Sequence, residues 1–523
     1  MIRIMSIAVV LWGSIAFAAE PTKPNVLLIL ADDLGYSDLG CYGSEIETPH
    51  LDGLAKNGLR YSQFTNTARC WPTRGAILTG YYAQQIRRDT MPGVKSGNQG
   101  TRPAWATLLP EMLKPVGYRS YHSGKWHVDG LPLAGGFEKS YSLNDHNRHF
   151  APQQHTEDDR KLPAAAKDSG YYSSTAIADY AIKHWDGHFS AHAGKPFFSF
   201  VAFTAPHFPV QADPADTAKY RERYLAGWDK LREQRWARMK SLGIPGDLPA
   251  IERDLGPPYP FPKDVEKLGP HEVNRPLPWD SLTAEQKKFQ ADKMAVHAAM
   301  VDRMDREIGR MLDRLRQANQ LDNTLVMFLS DNGASAEMMV RGDGHDPHAE
   351  CGTGATFLCI GPGWSSLCNT PFRRHKTWVH EGGIGTCFVV HWPKGITAKN
   401  GVRHTPAHVV DVVPTVLELT GAKFKDGGPK PPGRSLVPSF AKDVTIERDS
   451  LWWLHENNKA LRVGDWKIVL AAKDKNPEWE LYDLSKDRSE ANNLAKQMPE
   501  KVKELAAMWQ RQFDETATLV RKE

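Results

Sequence analysis

Four short apolar stretches of this 523-residue chain are each followed at once by polar residues suited to a ligand site. They are residues 25–31 before Asp32-Asp33, 118–122 before Gly124-Lys125-Trp126-His127, 197–203 before Thr204-Ala205-Pro206-His207, and 324–329 before Ser330-Asp331-Asn332-Gly333. The first and last are continuous apolar runs, which is typical of buried parallel strands. In open α/β sheets, ligands bind beyond the carboxyl ends of the strands. We therefore expect the four polar endings to form one shared site.

Helical patterns lie between these runs. From Val301 to Leu315, apolar residues recur at three- and four-residue spacings, which predicts an amphipathic helix before the 324–329 strand. Residues 217–240 also have a helical pattern, and the proline-rich residues 245–278 behind them indicate irregular structure. We interpret residues of about 208–290 as an insertion over the site. Helices that alternate with apolar strands predict an α/β fold, with a large mixed, mostly parallel sheet flanked by helices.

The pattern changes after a segment rich in Gly, Pro and Lys at residues 421–433, which marks a domain boundary. Four short strand-like runs follow, separated by turn-forming residues, at 451–454, 460–463, 466–470 and 479–482. A final helix is predicted from about Pro499 to Phe513. We therefore expect a catalytic domain at residues 20–425 and a smaller C-terminal α+β subdomain with an antiparallel sheet at residues 426–523.

Residues 1–19 have the three-part pattern of a secretory signal peptide. A basic start at Arg3 precedes an apolar run, and Ala16-Phe17-Ala18 offers small residues for cleavage. No later stretch approaches the roughly 20 apolar residues that cross a bilayer, so we expect no stable membrane span. The protein is expected to be periplasmic or secreted. The sequence contains no Asn-x-Ser/Thr sequon, which favours a bacterial source.

Composition restricts the class of protein further. The formal net charge is only +4 and 41% of the residues are hydrophobic, which is ordinary for a globular protein and does not indicate nucleic-acid binding. Six cysteines are few for so long a chain, so no disulfide framework is expected.

The most specific motif is Cys70-Trp71-Pro72-Thr73-Arg74-Gly75, followed by Ala76-Ile77-Leu78-Thr79-Gly80. Pro72 suits the first turn of a helix, and a helix N-terminus favours an anion such as sulfate. The motif resembles the Cys-x-Pro-Ser/Thr/Ala-Arg signature of sulfatases whose cysteine is oxidised to formylglycine. The order of motifs from Asn25 to about Leu494 is similar to that family, and residues 224–229 and 300–305 resemble its bacterial arylsulfatase branch.

This resemblance implies an alkaline phosphatase-like fold and a calcium site. In the family, an aspartate pair, an Asp-Asn pair and the formylglycine side chain hold Ca²⁺, and these roles fall on Asp32, Asp33, Asp331, Asn332 and residue 70. An all-oxygen shell favours a hard cation and disfavours zinc, with Mg²⁺ as the close competitor. The spacing of His, Asp and Cys in residues 345–351 does not form a closed zinc set, so we expect a polar loop there.

The resemblance also assigns basic residues around the sulfate. Arg74 would hold the formylglycine hydrate, while Lys125, His127 and Lys376 would surround the sulfate. One hydrate hydroxyl would attack sulfur, and His207 or Lys376 would protonate the leaving oxygen. His127 would deprotonate the second hydroxyl, and collapse to the aldehyde would release sulfate. A formylglycine-generating or sulfatase-maturing enzyme is therefore an expected partner.

Two other functions remain open from the residues alone. A formylglycine-dependent phosphate or phosphonate ester hydrolase would apply the same chemistry to a phosphoryl group. A non-catalytic protein that binds sulfated glycans would keep Cys70 as a thiol. For a sulfatase, the substrate would be a small-molecule sulfate ester or a sulfated carbohydrate, selected by loops such as residues 208–290 and 334–372.

Overall fold

The computed structural model describes residues 23–167 and 169–522, so the predicted signal peptide at residues 1–19 lies outside the described residues. The strands are β1 (Asn25–Ala31), β2 (Leu59–Tyr61), β3 (Phe64–Thr65), β4 (Arg119–Gly124), β5 (Lys139–Leu143), β6 (His155–Glu157), β7 (Arg160–Lys161), β8 (Phe197–Ala202), β9 (Thr324–Ser330), β10 (Phe388–His391), β11 (Gly401–Arg403), β12 (Ala407–His408), β13 (Leu451–His455), β14 (Asn458–Val463), β15 (Trp466–Leu470) and β16 (Glu480–Asp483). The helices are α1 (Pro49–Lys56), α2 (Cys70–Thr79), α3 (Leu109–Leu113), α4 (Ser173–Ala191), α5 (Pro214–Ala218), α6 (Gly227–Ser241), α7 (Pro262–Lys267), α8 (Ala284–Gln317), α9 (Gly361–Cys368), α10 (Glu381–Ile384), α11 (Val412–Thr420), α12 (Val437–Ala441) and α13 (Pro499–Lys522).

Ten strands form the central sheet, in the order β11-β2-β10-β9-β1-β8-β4-β5-β6-β7. Its middle five strands, from β9 to β5, are all parallel to one another. Strand β10 runs antiparallel to β9, and β6 runs antiparallel to β5. The predicted large mixed, mostly parallel sheet is confirmed.

Both faces of this sheet are covered by helices, which explains why β1 is apolar at consecutive positions. Leu27 and Ile29 point into one core, with α1, α4 and α8, whereas Leu28 and Leu30 point into another, with α2, α3 and α11. Burial of each such side chain contributes roughly 1.5–3 kcal/mol. A parallel strand buried on both sides therefore shows no alternation of polar and apolar residues.

The C-terminal antiparallel sheet is also confirmed, with the order β13-β14-β15-β16. Its Leu461 and Ile468 join the core on the α2 side of the large sheet, together with Trp509 of α13. Helix α13 continues to Lys522, past the predicted end at Phe513, because no glycine or proline interrupts the chain after Pro499. The predicted boundary at residues 425–426 falls between α11 and α12 and stays a prediction.

The predicted insertion is less regular than its helical pattern indicates. The helical pattern at residues 217–240 corresponds to the end of α5, a 3-10 turn at Arg223–Ala226 and α6. Gly227 begins α6 with φ of 79°, and a Cβ atom there would lie 2.2 Å from the Trp279 ring. The helix predicted around Val301–Leu315 is the second half of α8, whose first turn is capped by the Thr283 side chain.

Among the helices of the described residues, none combines the length and the apolar composition that a membrane crossing requires.

Candidate active site

The four polar strand endings lie at the same edge of the sheet. Strands β9, β1, β8 and β4 are parallel neighbours, so their carboxyl ends share that edge. Lys125 Nζ, after β4, lies 2.7 Å from Asp32 Oδ2, after β1. His207 Nε2, after β8, lies 3.7 Å from Asp33 Oδ2, and Asn332 Nδ2, after β9, donates to Asp33 Oδ1 at 2.7 Å. The parallel topology therefore collects residues that are 300 positions apart in sequence.

Cys70 begins helix α2 at this edge and is almost fully buried. Thr73 anchors the first turn, because its Oγ1 donates to the backbone oxygen of Asp331 at 2.6 Å. Burial raises the pKa of the Cys70 thiol. The unmodified residue is therefore a thiol at neutral pH, and a neutral thiol is a poor nucleophile. All six cysteines of the chain lie within the described residues and are free of disulfides.

Three buried carboxylates lie beside Cys70. Asp32, Asp33 and Asp331 are each at most 3% exposed. Burial raises the pKa of Asp331 to about 7, and the negative charge of Asp32 adds to the effect. Within the described residues, Oδ1 of Asp32 and Oδ1 of Asn332 are buried without a hydrogen-bond partner. Buried carboxylates and unpaired oxygens are costly unless a positive charge compensates them.

Three fully buried cations surround the carboxylates. Arg74 donates to Asp331 Oδ2 from Nε at 3.0 Å and from Nη2 at 2.8 Å. Lys125 pairs with Asp32, and Lys376 pairs with Asp33 Oδ1 at 2.8 Å. Burial favours the neutral acid, yet Lys125 and other cations hold the pKa of Asp32 well below its usual range. Burial also opposes charge on Lys376, but Asp33 raises its pKa above that of a free lysine. The Lys376 ammonium is therefore retained at neutral pH.

Three histidines form the opposite side of the site. Burial lowers the pKa of His207 to about 4 and holds that of His127 well below its usual range. His146 lies between them, with its ring centroid 6.0 Å from His127 and 5.1 Å from His207. Burial lowers the pKa of His146 as well. All three imidazoles are therefore neutral at pH 7 in this structure.

Three residues at the site, His146, Glu337 and Arg69, were not predicted from the sequence. His146 follows β5, whose sequence KSYSL alternates and does not resemble the four apolar runs. Glu337 Oε2 lies 3.0 Å from Lys376 Nζ, and its Oε1 lies 3.0 Å from Arg69. Arg69 directly precedes Cys70, and Glu337 follows Asp331 by six positions, so each lies close to a recognised motif. Proximity to a motif is the signal that could have found them.

The donor set fits a hard divalent cation. Its atoms are carboxylate and amide oxygens from Asp32, Asp33, Asp331 and Asn332, which suits Ca²⁺ or Mg²⁺. Asp32, Asp33 and His207 offer ligand atoms within 4.8 Å of one another. The unpaired Oδ1 atoms of Asp32 and Asn332 are the oxygens of this set that are free to bind such an ion.

A second group of metal-ligating residue types has a different explanation. Asp38, His297 and Cys368 are buried within 4.8 Å of one another. However, Arg235 already pairs with Asp38 at 2.6 Å, and His297 Nε2 lies 3.1 Å from the same carboxylate. This group is therefore an ion-paired part of the core.

Comparison with known proteins identifies the class. The model of the sulfatase family matches residues 24–422, and a model described as the C-terminal region of N-sulphoglucosamine sulphohydrolase matches residues 373–518. The chain belongs to the sulfatase family and is a sulfuric ester hydrolase.

Individual relatives align with this chain over most of their length. An uncharacterized sulfatase of Schizosaccharomyces pombe is 33% identical, covering 94% of this chain and 93% of the relative. An arylsulfatase of Klebsiella aerogenes is 32% identical, covering 80% of this chain and 90% of the relative, which agrees with the predicted bacterial arylsulfatase branch. The crystal structure of Ps i-CgsB in complex with k-i-k-neocarrahexaose shares the fold, with a TM-score of 0.66, 23% identity and coverage of 94% and 93% of the two chains.

Proposed function

We propose that this enzyme hydrolyses a sulfate monoester with a formylglycine nucleophile made from Cys70 and with bound Ca²⁺. The observation that carries the proposal is the position of Cys70. It lies at a helix N-terminus, beside a buried cluster in which Arg74, Lys125 and Lys376 pair with three carboxylates while Oδ1 of Asp32 and of Asn332 stay unpaired. Burial raises the pKa of the Cys70 thiol, so the residue is not a thiolate nucleophile as encoded. This supports the proposal that Cys70 is converted before it acts.

The calcium ion would be held by Asp32, Asp33, Asp331, Asn332 and the side chain of residue 70. When bound, it would supply positive charge next to the sulfate and to the nucleophilic oxygen. Magnesium is the less favoured ion, because it binds best with several retained waters and few protein ligands.

The chain's own residues supply the remaining roles. Arg74 holds the residue 70 side chain, and Lys125 with Lys376 stabilises the charge of the sulfate in the transition state. Of the two candidates for protonating the leaving oxygen, Lys376 carries a proton at neutral pH, whereas His207, with a pKa of about 4, does not. The neutral imidazole of His127 can accept the proton of the second hydroxyl.

Two further proposals concern the enzyme's partners and location. A formylglycine-generating or sulfatase-maturing enzyme would act on Cys70, because conversion of a thiol to an aldehyde is an oxidation that protein side chains alone do not perform. The pattern of residues 1–19 supports export to the periplasm or the medium of a bacterium. A sulfated carbohydrate is a candidate substrate alongside small aryl sulfates, because one structural neighbour is bound to neocarrahexaose.

The comparisons favour neither a phosphoryl hydrolase nor a non-catalytic glycan-binding protein. We expect kcat/KM for 4-nitrophenyl sulfate to exceed the values for 4-nitrophenyl phosphate and a nitrophenyl phosphonate ester by at least about tenfold, a difference of about 1.4 kcal/mol in activation free energy. The measurement is initial-rate kinetics on all three esters with one preparation. Faster phosphate or phosphonate hydrolysis would contradict the substrate class, and no turnover of any ester would support the binding protein.

A further inference from the structure

A cavity of about 360 Å³ lies among three loops at the same edge of the sheet as the active site. Its lining includes Asn147 and Arg148 from the loop after β5, Gln211 and Ala212 after β8, and residues 353–357 after β9. These loops leave the carboxyl ends of strands that also position His146, His207 and Asp331. The volume lies within the range of roughly 300–1,000 Å³ that is usual for small-molecule sites.

Two paths connect the cavity to the catalytic centre. In the first, His146 contacts His207, and the next two residues of the same loop line the cavity. In the second, the His207 ring lies 4.2 Å from the Phe208 ring, which lies 6.3 Å from the ring of Phe357 in the cavity wall. The cavity therefore lies one side chain beyond His207, whose Nε2 lies 3.7 Å from Asp33 in the active site.

The framework of the cavity is held by hydrogen bonds. Val210 N donates to Leu358 O at 2.8 Å, and Ala212 N donates to Gly352 O at 3.0 Å, so the segments after β8 and β9 are paired. Gln211 Nε2 donates to Thr356 O at 2.8 Å. These bonds fix the cavity floor without using the side chains at its rim.

The charges around the cavity are unbalanced. Arg148 is fully used, because it donates to Asp145 at 2.7 and 2.8 Å and to Asp343 at 2.7 and 2.9 Å. Asp343 is the acidic residue of the lining; it shares the Arg148 guanidinium with Asp145 and is also within electrostatic range of Lys167. Within the described residues, the exposed Arg341 and Lys167 form no ion pair. Three cations, Arg148, Arg341 and Lys167, therefore face two carboxylates, Asp145 and Asp343, beside an apolar wall that contains Phe150 and Phe357.

We propose that this cavity binds the alcohol portion of the sulfate ester, and that Arg341 and Lys167 recognise a second anionic group on it, either a sulfate or a carboxylate. The inference rests on the proposed function, because the alcohol portion extends from the sulfate past His207. Phe150 and Phe357 provide the apolar surface on which a sugar ring or an aryl ring packs. Arg341 and Lys167 provide charge-assisted hydrogen bonds to the second anion.

The test measures competitive inhibition of 4-nitrophenyl sulfate hydrolysis by matched sugars. The pairs are N-acetylglucosamine 6-sulfate with glucosamine 2-N,6-O-disulfate, and N-acetylgalactosamine 6-sulfate with the 4,6-disulfate. We expect the wild-type enzyme to bind the doubly charged member of at least one pair about tenfold more tightly. In the double variant Arg341→Gln/Lys167→Gln this preference is expected to disappear, while kcat/KM for 4-nitrophenyl sulfate stays within about twofold.

Matched controls separate the possible results. Arg511→Gln changes an exposed arginine of α13 outside the cavity and should preserve the preference, and Arg341→Lys should retain part of it. A wild-type enzyme without preference in either pair would overturn the inference, as would an unchanged preference in the double variant. Failure of the wild-type enzyme to hydrolyse 4-nitrophenyl sulfate would instead count against the proposed function, and the sugar affinities would then be compared by calorimetry.

Discussion

Replacement of Cys70 by alanine is expected to lower kcat for 4-nitrophenyl sulfate by at least about 10⁴-fold, because the variant has no atom that can become the nucleophile. The surrounding charges can still bind the ester, so the loss should appear in kcat more than in KM. Initial rates on purified variant and wild type give both parameters. Cys70→Ser should be similarly inactive in multiple turnover, because serine lacks the second hydroxyl whose collapse releases sulfate.

The control for this experiment is Cys41→Ala. Cys41 is buried like Cys70. It lies in the segment between β1 and α1, and its side chain is part of the core that contains α1. Its removal tests whether loss of a buried thiol by itself impairs the enzyme. Retention of wild-type rates in Cys70→Ala, or an equal loss in Cys41→Ala, would exclude Cys70 as the precursor of the nucleophile.

Asp33→Ala is expected to weaken Ca²⁺ binding by at least about 100-fold and to remove most of the activity. Asp33 is the point where the strand endings meet, since it contacts Asn332, Lys376 and His207. Its loss deletes a metal oxygen and leaves the Lys376 ammonium without one of its two carboxylates. Calorimetric titration of chelator-treated protein with CaCl₂ measures the binding separately from catalysis.

The matched control is Asp426→Ala, which removes an exposed carboxylate in the predicted boundary region. It should bind Ca²⁺ as the wild type does. In the wild type, affinity should fall as pH drops below about 7, because the raised pKa of Asp331 means that a proton competes with the metal there. Equal Ca²⁺ affinity in Asp33→Ala and the wild type would contradict the assigned ligand set.

The parts of the fold that could be predicted from the sequence are those in which the local pattern of apolar residues matches their burial in the structure. Strands β1 and β9 are apolar at residues 26–31 and 325–329 because they are buried on both faces, and this made them recognisable. The motif beginning at Cys70 placed a helix start correctly, because Pro72 and the following residues favour a first helical turn. The mostly parallel order of the sheet followed from the alternation of strands and helices.

Other features depend on contacts between distant residues and could not be predicted from local pattern. The break before α6 requires the approach of Trp279 to Gly227, 52 positions away in sequence. His146 enters the site because β5 pairs with β4, and the KSYSL sequence gives no signal of that pairing. The cavity next to His207 arises from three loops whose shapes are fixed by each other.

The arrangement explains why so many charges can be buried in one place. Asp32, Asp33 and Asp331 would destabilise the fold if each were alone, and Arg74, Lys125 and Lys376 would do the same. Paired at 2.7–3.0 Å, they compensate one another in part. Oδ1 of Asp32 and Oδ1 of Asn332 have no hydrogen-bond partner, so these atoms remain free to bind a cation.

The most direct test of the central claim is the mass of the tryptic peptide that carries residue 70, measured in enzyme that hydrolyses 4-nitrophenyl sulfate. Conversion of the Cys70 thiol to an aldehyde would make the peptide about 18 Da lighter than the encoded sequence. We expect this lighter peptide, in an amount proportional to the specific activity of each preparation. Fully active enzyme that contains only the unmodified thiol peptide would contradict it.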